Sequence, residues 1–311
     1  MTGPGHHRPP CHRLHGPDTR TPARVVEVLR AGALTTVQDL GRPGWAHLGV
    51  PRSGALDPAA LRLANRLVGN AEAAAGLETT LTGCDLRFVR ATTVAVTGAD
   101  AAVLVTVPHG PGRAADVGRP LSVPAGAVVR IGPPRVGLRN WIAVGGGITV
   151  PPVLGSRATD TLSGLGPPPL RDGDRLPLGD PAGAPAPVDV TVPTPLPGEL
   201  RLALRLGPRH DWFTAAALDR LFAEAYTVSP LSNRVGARLF GTPLPRAVAG
   251  ELPSEGLVLG AVQVPADGQP LVFLADHPTT GGYPVVGVVD DVTALAQARP
   301  GTTVRFHGPQ R

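Results

Sequence analysis

The sequence predicts a mainly β protein with a few helices, built as barrels or sandwiches. Three observations predict this class. Short β-branched runs recur along the chain, as in TTVAVTG (92–98), AAVLVTV (101–107), AVVRIG (127–132) and NWIAVGG (140–146). The 40 glycines and 37 prolines fall between such runs as turn signals. Strands punctuated in this way indicate a closed or two-layered β architecture. Only three segments carry helical spacing, and no glycine fingerprint joins a strand to a helix, which excludes a dinucleotide fold.

Taken in order, residues 1–24 contain Pro, Gly, His and Arg but no apolar block, so they lack a signal-peptide core and read as a disordered tail or an upstream start. The tail holds His6, His7, His12 and His15; a metal-binding tail and a merely solvated one both fit that composition. Asp57-Pro58 reads as an N-cap with proline at the first helical position, followed by Leu61, Ala64, Leu67 and Val68 at helical spacing and by Gly69-Asn70 as the stop. A second helix is expected over Thr214 to Tyr226, with Leu218, Leu221 and Phe222 on one face. A third is expected from about Asp291 to just before Pro300. The Pro-rich stretch at 179–198 reads as a semi-rigid connector. It divides the body into β subdomains at 25–178 and 199–311, with no internal repeat linking them.

Composition removes several function classes. No apolar run approaches the roughly 18 residues of a membrane span. Net charge is +5, but Arg8, Arg13, Arg20 and Arg24 against Asp18 place most of it in the tail, and no basic stripe interleaved with aromatics marks a nucleic-acid surface. All 29 basic residues are arginine, which excludes a Schiff-base lysine, a Walker A lysine and a biotinyl-lysine on this chain. Cys11 and Cys84 cannot supply a four-cysteine or Cys₂His₂ zinc site, and no metal is expected. A cytoplasmic protein is the expectation. Neither a Gly-x-Ser-x-Gly elbow nor a His-Glu-x-x-His motif is present.

Four segments and one loop spend polar residues where plain turns do not need them. In TTVQDLGRPGWAHLGVPRSGALD (35–57), Gln38, Arg42 and Ser53 are candidate binding groups. The Arg42 fork suits a carboxylate or phosphate, or else a structural pair with Asp39. In GGGITVPPVLGSRATDT (145–161), the glycines permit an anion nest, a weak signal by itself. In LSNRVGARL (231–239), Asn233 and Arg234 follow a turn. In SEGLVLGAVQVPADGQP (254–270), Gln263 interrupts an apolar strand, and a buried glutamine must be hydrogen-bonded either structurally or to a ligand. The loop DHPTTGGYP (276–284) follows, between the apolar runs PLVFLA and VVGVV.

These segments, in this order, resemble the biotin-dependent carboxyltransferase family, which includes allophanate hydrolase subunit 2, KipA-type proteins and the C subunit of 5-oxoprolinase. The resemblance rests on QDLGRPG and GVPRSGALD, AN-x-LVGN (64–70), LE-x-T (77–80), SNRVGARL, SEG with GAVQVP-x-x-GQP, and D-x-x-TTGGYP. At Asn233 and Val235 the family more often has Asp and Met. The resemblance implies two cyclophilin-like β-barrel subdomains. It implies one component of a multi-subunit 5-oxoprolinase that opens 5-oxoproline to L-glutamate with ATP, in a site shared with a KipI-like companion and a LamB/YcsF-like companion. It also admits a carboxyltransferase subunit using biotin carried on another chain, or a KipA-like regulator of a KipI-type kinase inhibitor. By residue type and loop position, Asp276, Glu255 and Gln263 are the expected catalytic groups. Gln38, Arg42, Ser53, Ser254, Thr279, Thr280, Gly282 and Tyr283 are then expected to bind substrate, with ATP handled by the complex and not necessarily by this chain.

Overall fold

The computed structural model describes residues 24–108, 110–185, 197–250 and 252–308. The expected tail up to residue 23 and the middle of the expected connector lie outside the described residues. Nine strands form a curled sheet: β1 (Val25–Arg30), β2 (Leu34–Gln38), β3 (Gly76–Thr80), β4 (Cys84–Phe88), β5 (Thr92–Thr106), β6 (Arg113–Ala115), β7 (Pro120–Val123), β8 (Val128–Val144) and β9 (Arg175–Pro177). Its main path runs β2-β3-β8-β4-β1-β9, and β5 pairs with β6, β7 and β8.

The remaining strands are β10 (Glu199–Leu206), β11 (Tyr226–Val228), β12 (Gly236–Phe240), β13 (Glu255–Gly256), β14 (Ala261–Gln263), β15 (Leu271–Phe273), β16 (Thr280–Gly281), β17 (Val285–Val289) and β18 (Thr303–His307). Seven of them close a barrel in the order β10-β17-β14-β15-β12-β11-β18, while β13 and β16 form a separate two-stranded ribbon. The alternation of β10 shows why it closes. Leu200, Leu202 and Leu204 point into the core and Arg201 and Arg205 point out, the period of two that a half-buried strand requires. The protein is therefore mainly β, as its breaker-punctuated runs imply.

The runs expected as four strands form two. The stretches 92–98 and 101–107 are one bent strand, β5, and 127–132 and 140–146 lie on one strand, β8. Gly98 and the Pro133-Pro134 pair read as breaks, but they sit at register shifts between β5 and β8, where bulges bend the ladder without ending it. Gly98 has φ 96°, and a Cβ there would lie 2.8 Å from the Trp141 ring. Asn140 Nδ2 donates to the carbonyls of Thr97 and Ala99 on either side of Gly98.

Helix α1 (Pro58–Leu67) begins as expected, with Asp57 accepting from the Ala60 N–H. It packs Ala64, Leu67 and Val68 on Ala95 and Ala143. Helix α2 (Ala215–Ala223) is shorter than the expected span, because Tyr226 belongs to β11; Thr214 caps it through the Ala217 N–H. The expected third helix is only a 3₁₀ turn at Thr293–Gln297. That tighter turn aims the Ala296 carbonyl and the Gln297 side chain at β8. Arg139 donates to Ala296 O at 2.6 Å, and Gln297 Oε1 accepts from the Leu138 and Arg139 N–H groups. The halves also share apolar packing: Ala55, Leu56, Leu61 and Trp141 belong to the same core cluster as the barrel leucines. No helix among the described residues is long and apolar enough to cross a membrane.

Candidate functional site

Where the halves meet, four charged side chains are buried together: Glu78, Arg139, Arg234 and Asp276. Two acids and two arginines make the group formally neutral. Glu78 stands directly opposite Trp141 in the β3–β8 register, so the two side chains share a face, and Trp141 Nε1 donates to Glu78 Oε2 at 3.0 Å. The Leu56 N–H donates to the same oxygen at 2.9 Å. Beyond the β12–β15 ladder, Leu274 N–H bonds to Val235 O and Asp276 N–H to Arg234 O. This backbone pairing sets Arg234 beside Asp276. The Arg234 fork grips Asp276 through Nε to Oδ2 at 2.9 Å and Nη2 to Oδ1 at 3.0 Å, donates through Nη1 to Glu78, and reaches Gly54 O at 2.6 Å.

Asp276 also accepts from Ser53 Oγ at 2.7 Å and from both Thr161 N and Thr161 Oγ1. Burial pushes its carboxyl pKa up, but the Arg234 charge and hydrogen bonds, with those from Ser53 and Thr161, outweigh burial and hold it below the usual value. For Arg234, burial works against the charge, and Glu78 and Asp276 overcome it, raising the pKa. Arg139 is pulled down to about 10, chiefly by burial.

Ser53 occupies the left-handed region with φ 51°, a conformation that non-glycine residues hold only when their surroundings fix it. Its N–H bonds to Ala275 O, its hydroxyl reaches Asp276 and Thr159 O, and Gly54 beside it packs backbone to backbone on Gly41. The Thr159 carbonyl also accepts from Gln38 Nε2 at 3.0 Å. Gln38, Ser53 and Asp276, far apart in sequence, thus lie on one hydrogen-bonded chain.

Arg42 lies next to this chain, with only 1% of its surface exposed. Its Nε faces Val153 O and its Nη2 donates to Ala158 O. The alternative of a structural pair with Asp39 does not form. Asp39 instead accepts from Gly41 N, Ser156 Oγ and Arg157 N.

The other expected residues gather around the β13–β16 ribbon. The loop 276–284 does not join adjacent strands, because β14 lies between β15 and β17 in the barrel. Within it, Gly281 faces Glu255, and a Cβ on Gly281 would lie 2.8 Å from Gln263 Nε2. Gln263 donates to Tyr283 O at 3.0 Å, so its amide supports the loop backbone. Glu255 pairs with Arg209, which holds its carboxyl below the usual range. Thr279 O accepts from Leu257 N. Thr280, Gly282, Tyr283 and Ser254 are exposed, and Arg246 lies over the Tyr283 ring at 5.8 Å. Asp276, at one end of the loop, is in the buried network; Tyr283, at the other, faces solvent.

The network also takes in residues with no local sequence signal: Glu78 of LE-x-T, Arg234 of SNRVGARL, and Arg139, Trp141 and Thr161. A lone acid in GLETT and an arginine after a turn each look ordinary until pairing brings them together. The buried Cys84 thiol, pushed up to about 12 by burial, is not a nucleophile. Among the described residues no cluster of His, Cys, Asp and Glu suits a metal ion. Two open surface hollows, one lined by Val136, Gly137, Leu200 and Gln297 and the other by residues 242–250 and 266–268, contain none of Arg42, Ser53 or Asp276. The polar convergence is therefore the better guide to the site.

Fold and residues together define a carboxyltransferase-type protein: the family model described as carboxyltransferase domain, subdomain A and B, matches residues 48–308, and the chain belongs to that family. Among curated relatives it is 39% identical to the 5-oxoprolinase C subunit of Escherichia coli (strain K12), over 91% of this chain and 90% of the relative. It is 32% identical to urea amidolyase of Saccharomyces cerevisiae, over 91% of this chain but 16% of that protein. Among solved structures it resembles TTHA0988 with TM-score 0.82 and 37% identity, covering 92% of this chain and 56% of that one. The K. lactis urea amidolyase structure matches with TM-score 0.85 and 29% identity, covering 94% of this chain and 19% of that one. The chain thus spans only a part of the larger proteins it resembles.

Proposed function

We propose that this chain is the C subunit of a 5-oxoprolinase complex that opens 5-oxoproline to L-glutamate at the expense of ATP. The observation that carries the reading is similarity along nearly the whole length of both chains to a bacterial protein of that name. A lactam is resonance-stabilised, so its opening requires activation of the ring carbonyl: phosphoryl transfer from ATP to the carbonyl oxygen, attack of water at that carbon, cleavage of the C–N bond with a proton delivered to the departing nitrogen, and hydrolysis of the resulting acyl phosphate by a second water, which releases phosphate. This chain has no lysine to hold a transferring phosphoryl group. The reading assigns ATP to the complex and not necessarily to this chain, with one KipI-like and one LamB/YcsF-like companion in a cytoplasmic complex with a shared site.

In this reading Gln38, Arg42 and Ser53 hold substrate from one half. Asp276 fixes Ser53 and Arg234, and Gln263 sets the loop that presents Thr279, Thr280, Gly282 and Tyr283. Ser254 and Glu255 stand on the adjoining ribbon. Glu255 is the acid with solvent access, so it is the one placed to orient water. The test is ATP-dependent glutamate release by the chain purified with and without both companions. No release with all three present overturns the reading; turnover by this chain alone overturns the shared site.

A second reading is favoured by the family model and by the urea amidolyase relatives. It makes this chain the carboxyltransferase component for a urea-like substrate. Biotin must then arrive on another chain's lysine, because this chain has none. Carboxylation of urea from carboxybiotin, without glutamate release, is the result that selects it.

A further inference from the structure

Three buried polar atoms near β2 have no hydrogen-bond partner among the described residues: Gln38 Oε1, Arg42 Nη1 and Thr159 Oγ1. They belong to one neighbourhood. Gln38 and Arg42 donate to consecutive carbonyls, those of Thr159 and Ala158, and the Thr159 N–H bonds to Val37 O. The Arg42 guanidinium has no carboxylate partner among the described residues, and Asp39 is occupied elsewhere. A buried cation left in this state calls for an anionic partner that the described residues do not supply. The orphaned atoms also differ in kind. Nη1 offers two N–H donors, Gln38 Oε1 is an acceptor, and a threonine hydroxyl does either.

A loop begins directly after Arg42. Arg42 N–H bonds to Arg52 O at 2.7 Å and closes the neck of the loop 43–51. That loop is mostly exposed, Leu48 is 61% exposed, and Gly44 and Gly49 have positive φ with open space around them. The described hydrogen bonds tie this loop to the rest of the chain at its neck, and Gly44 and Gly49 within it leave its tip free to swing without disturbing β2.

We propose that Arg42, Gln38 and Thr159 form a receptor for a small carboxylate that carries an N–H donor close to the carboxyl, admitted past the loop 43–51. Arg42 takes the carboxylate, Gln38 Oε1 accepts the N–H, and the Thr159 hydroxyl bonds either group. A cyclic amide with a carboxyl on the carbon next to nitrogen presents this pair of groups. The proposal therefore deepens the 5-oxoprolinase reading and, for the ligand's identity, rests on it.

The test is calorimetric titration of the purified full chain, alone and assembled with its companions. Three probes are used: 5-oxoproline, 2-pyrrolidinone (no carboxylate) and tetrahydrofuran-2-carboxylate (no N–H). The expected result is binding of 5-oxoproline, weaker by about tenfold or more for each analogue. Arg42→Gln should lose about tenfold or more for both carboxylates and should bind 5-oxoproline no better than 2-pyrrolidinone. Gln38→Met should bind 5-oxoproline and tetrahydrofuran-2-carboxylate alike. Thr159→Val should weaken 5-oxoproline measurably, and it serves with Gln38→Met should Arg42→Gln fail to fold by circular dichroism. Unchanged binding by the folded variants, or no binding of either carboxylate by wild type in both states, overturns the receptor. Failure of the 5-oxoprolinase reading shows separately, as carboxylate binding that depends on Arg42 in a complete assembly that releases no glutamate.

Discussion

Arg234 and Arg42 are both exposed to only 1%, yet they sit in opposite surroundings. Arg234 has two carboxylates and a carbonyl around its fork, and each charge in its group has an opposite neighbour. Arg42 has two carbonyls and an unused amino group. The difference separates two uses of a buried cation. The first is a joint that holds two halves of the molecule in register; the second, as proposed above, is a binding group that takes its counter-charge from a ligand. Burial by itself distinguishes neither.

If Arg234 is such a joint, its removal must be the most damaging single change. Arg234→Met leaves Glu78 and Asp276 buried without their main cation, and it should cost about 3–5 kcal/mol in denaturant unfolding. A smaller loss would mean that the network rearranges easily.

Asp276→Asn comes next, at about 2–3 kcal/mol near neutral pH, and its pH dependence sharpens the comparison. The folded-state pKa of Asp276 is lowered, so its contribution is present above the unfolded value of about 3.9 and is lost as pH falls through the folded pKa. The stability gap between wild type and Asp276→Asn should therefore be steady from about pH 7 to about pH 5 and narrow below about pH 4. A constant gap down to about pH 3 would contradict the assignment.

Ser53→Ala removes the hydroxyl that donates to Asp276, with Thr159 O as its alternative acceptor, while keeping the strained backbone. About 1–2 kcal/mol should be lost, and Ser53→Gly should recover part of it by relieving the left-handed conformation. Glu255→Gln defines the low end. Its ion pair with Arg209 lies at the surface, so the melting temperature should stay unchanged, while glutamate release by the assembled complex should fall.

Much of the architecture was legible in the sequence, because strand alternation and caps are local signals. The α1 start at Asp57-Pro58 and the strand around Gln263 could be read directly. The continuity of β5 and β8 could not, since a bulge at Gly98 and a chain break use the same residue types. The candidate site is legible only in part. Gln38, Arg42, Ser53 and Asp276 stood out as polar residues within apolar or glycine-rich segments, and the fold brings them side by side. Glu78, Arg139 and Thr161 did not, because what distinguishes them is pairing across more than a hundred residues. Asn233, where the family more often has an acid, accepts the Val235 and Gly236 N–H groups within its own turn, as aspartate also can.

The measurement that tests the central distinction most directly is the unfolding free energy of Arg234→Met against Arg42→Met, in the same chain and buffer. Both substitutions exchange a buried guanidinium for an apolar side chain of similar length. The joint should lose about 3–5 kcal/mol, whereas Arg42→Met should lose about 1–2 kcal/mol, because an unpaired charge leaves along with its hydrogen bonds. Equal losses would contradict the account, by showing that Arg42 is as much a structural joint as Arg234.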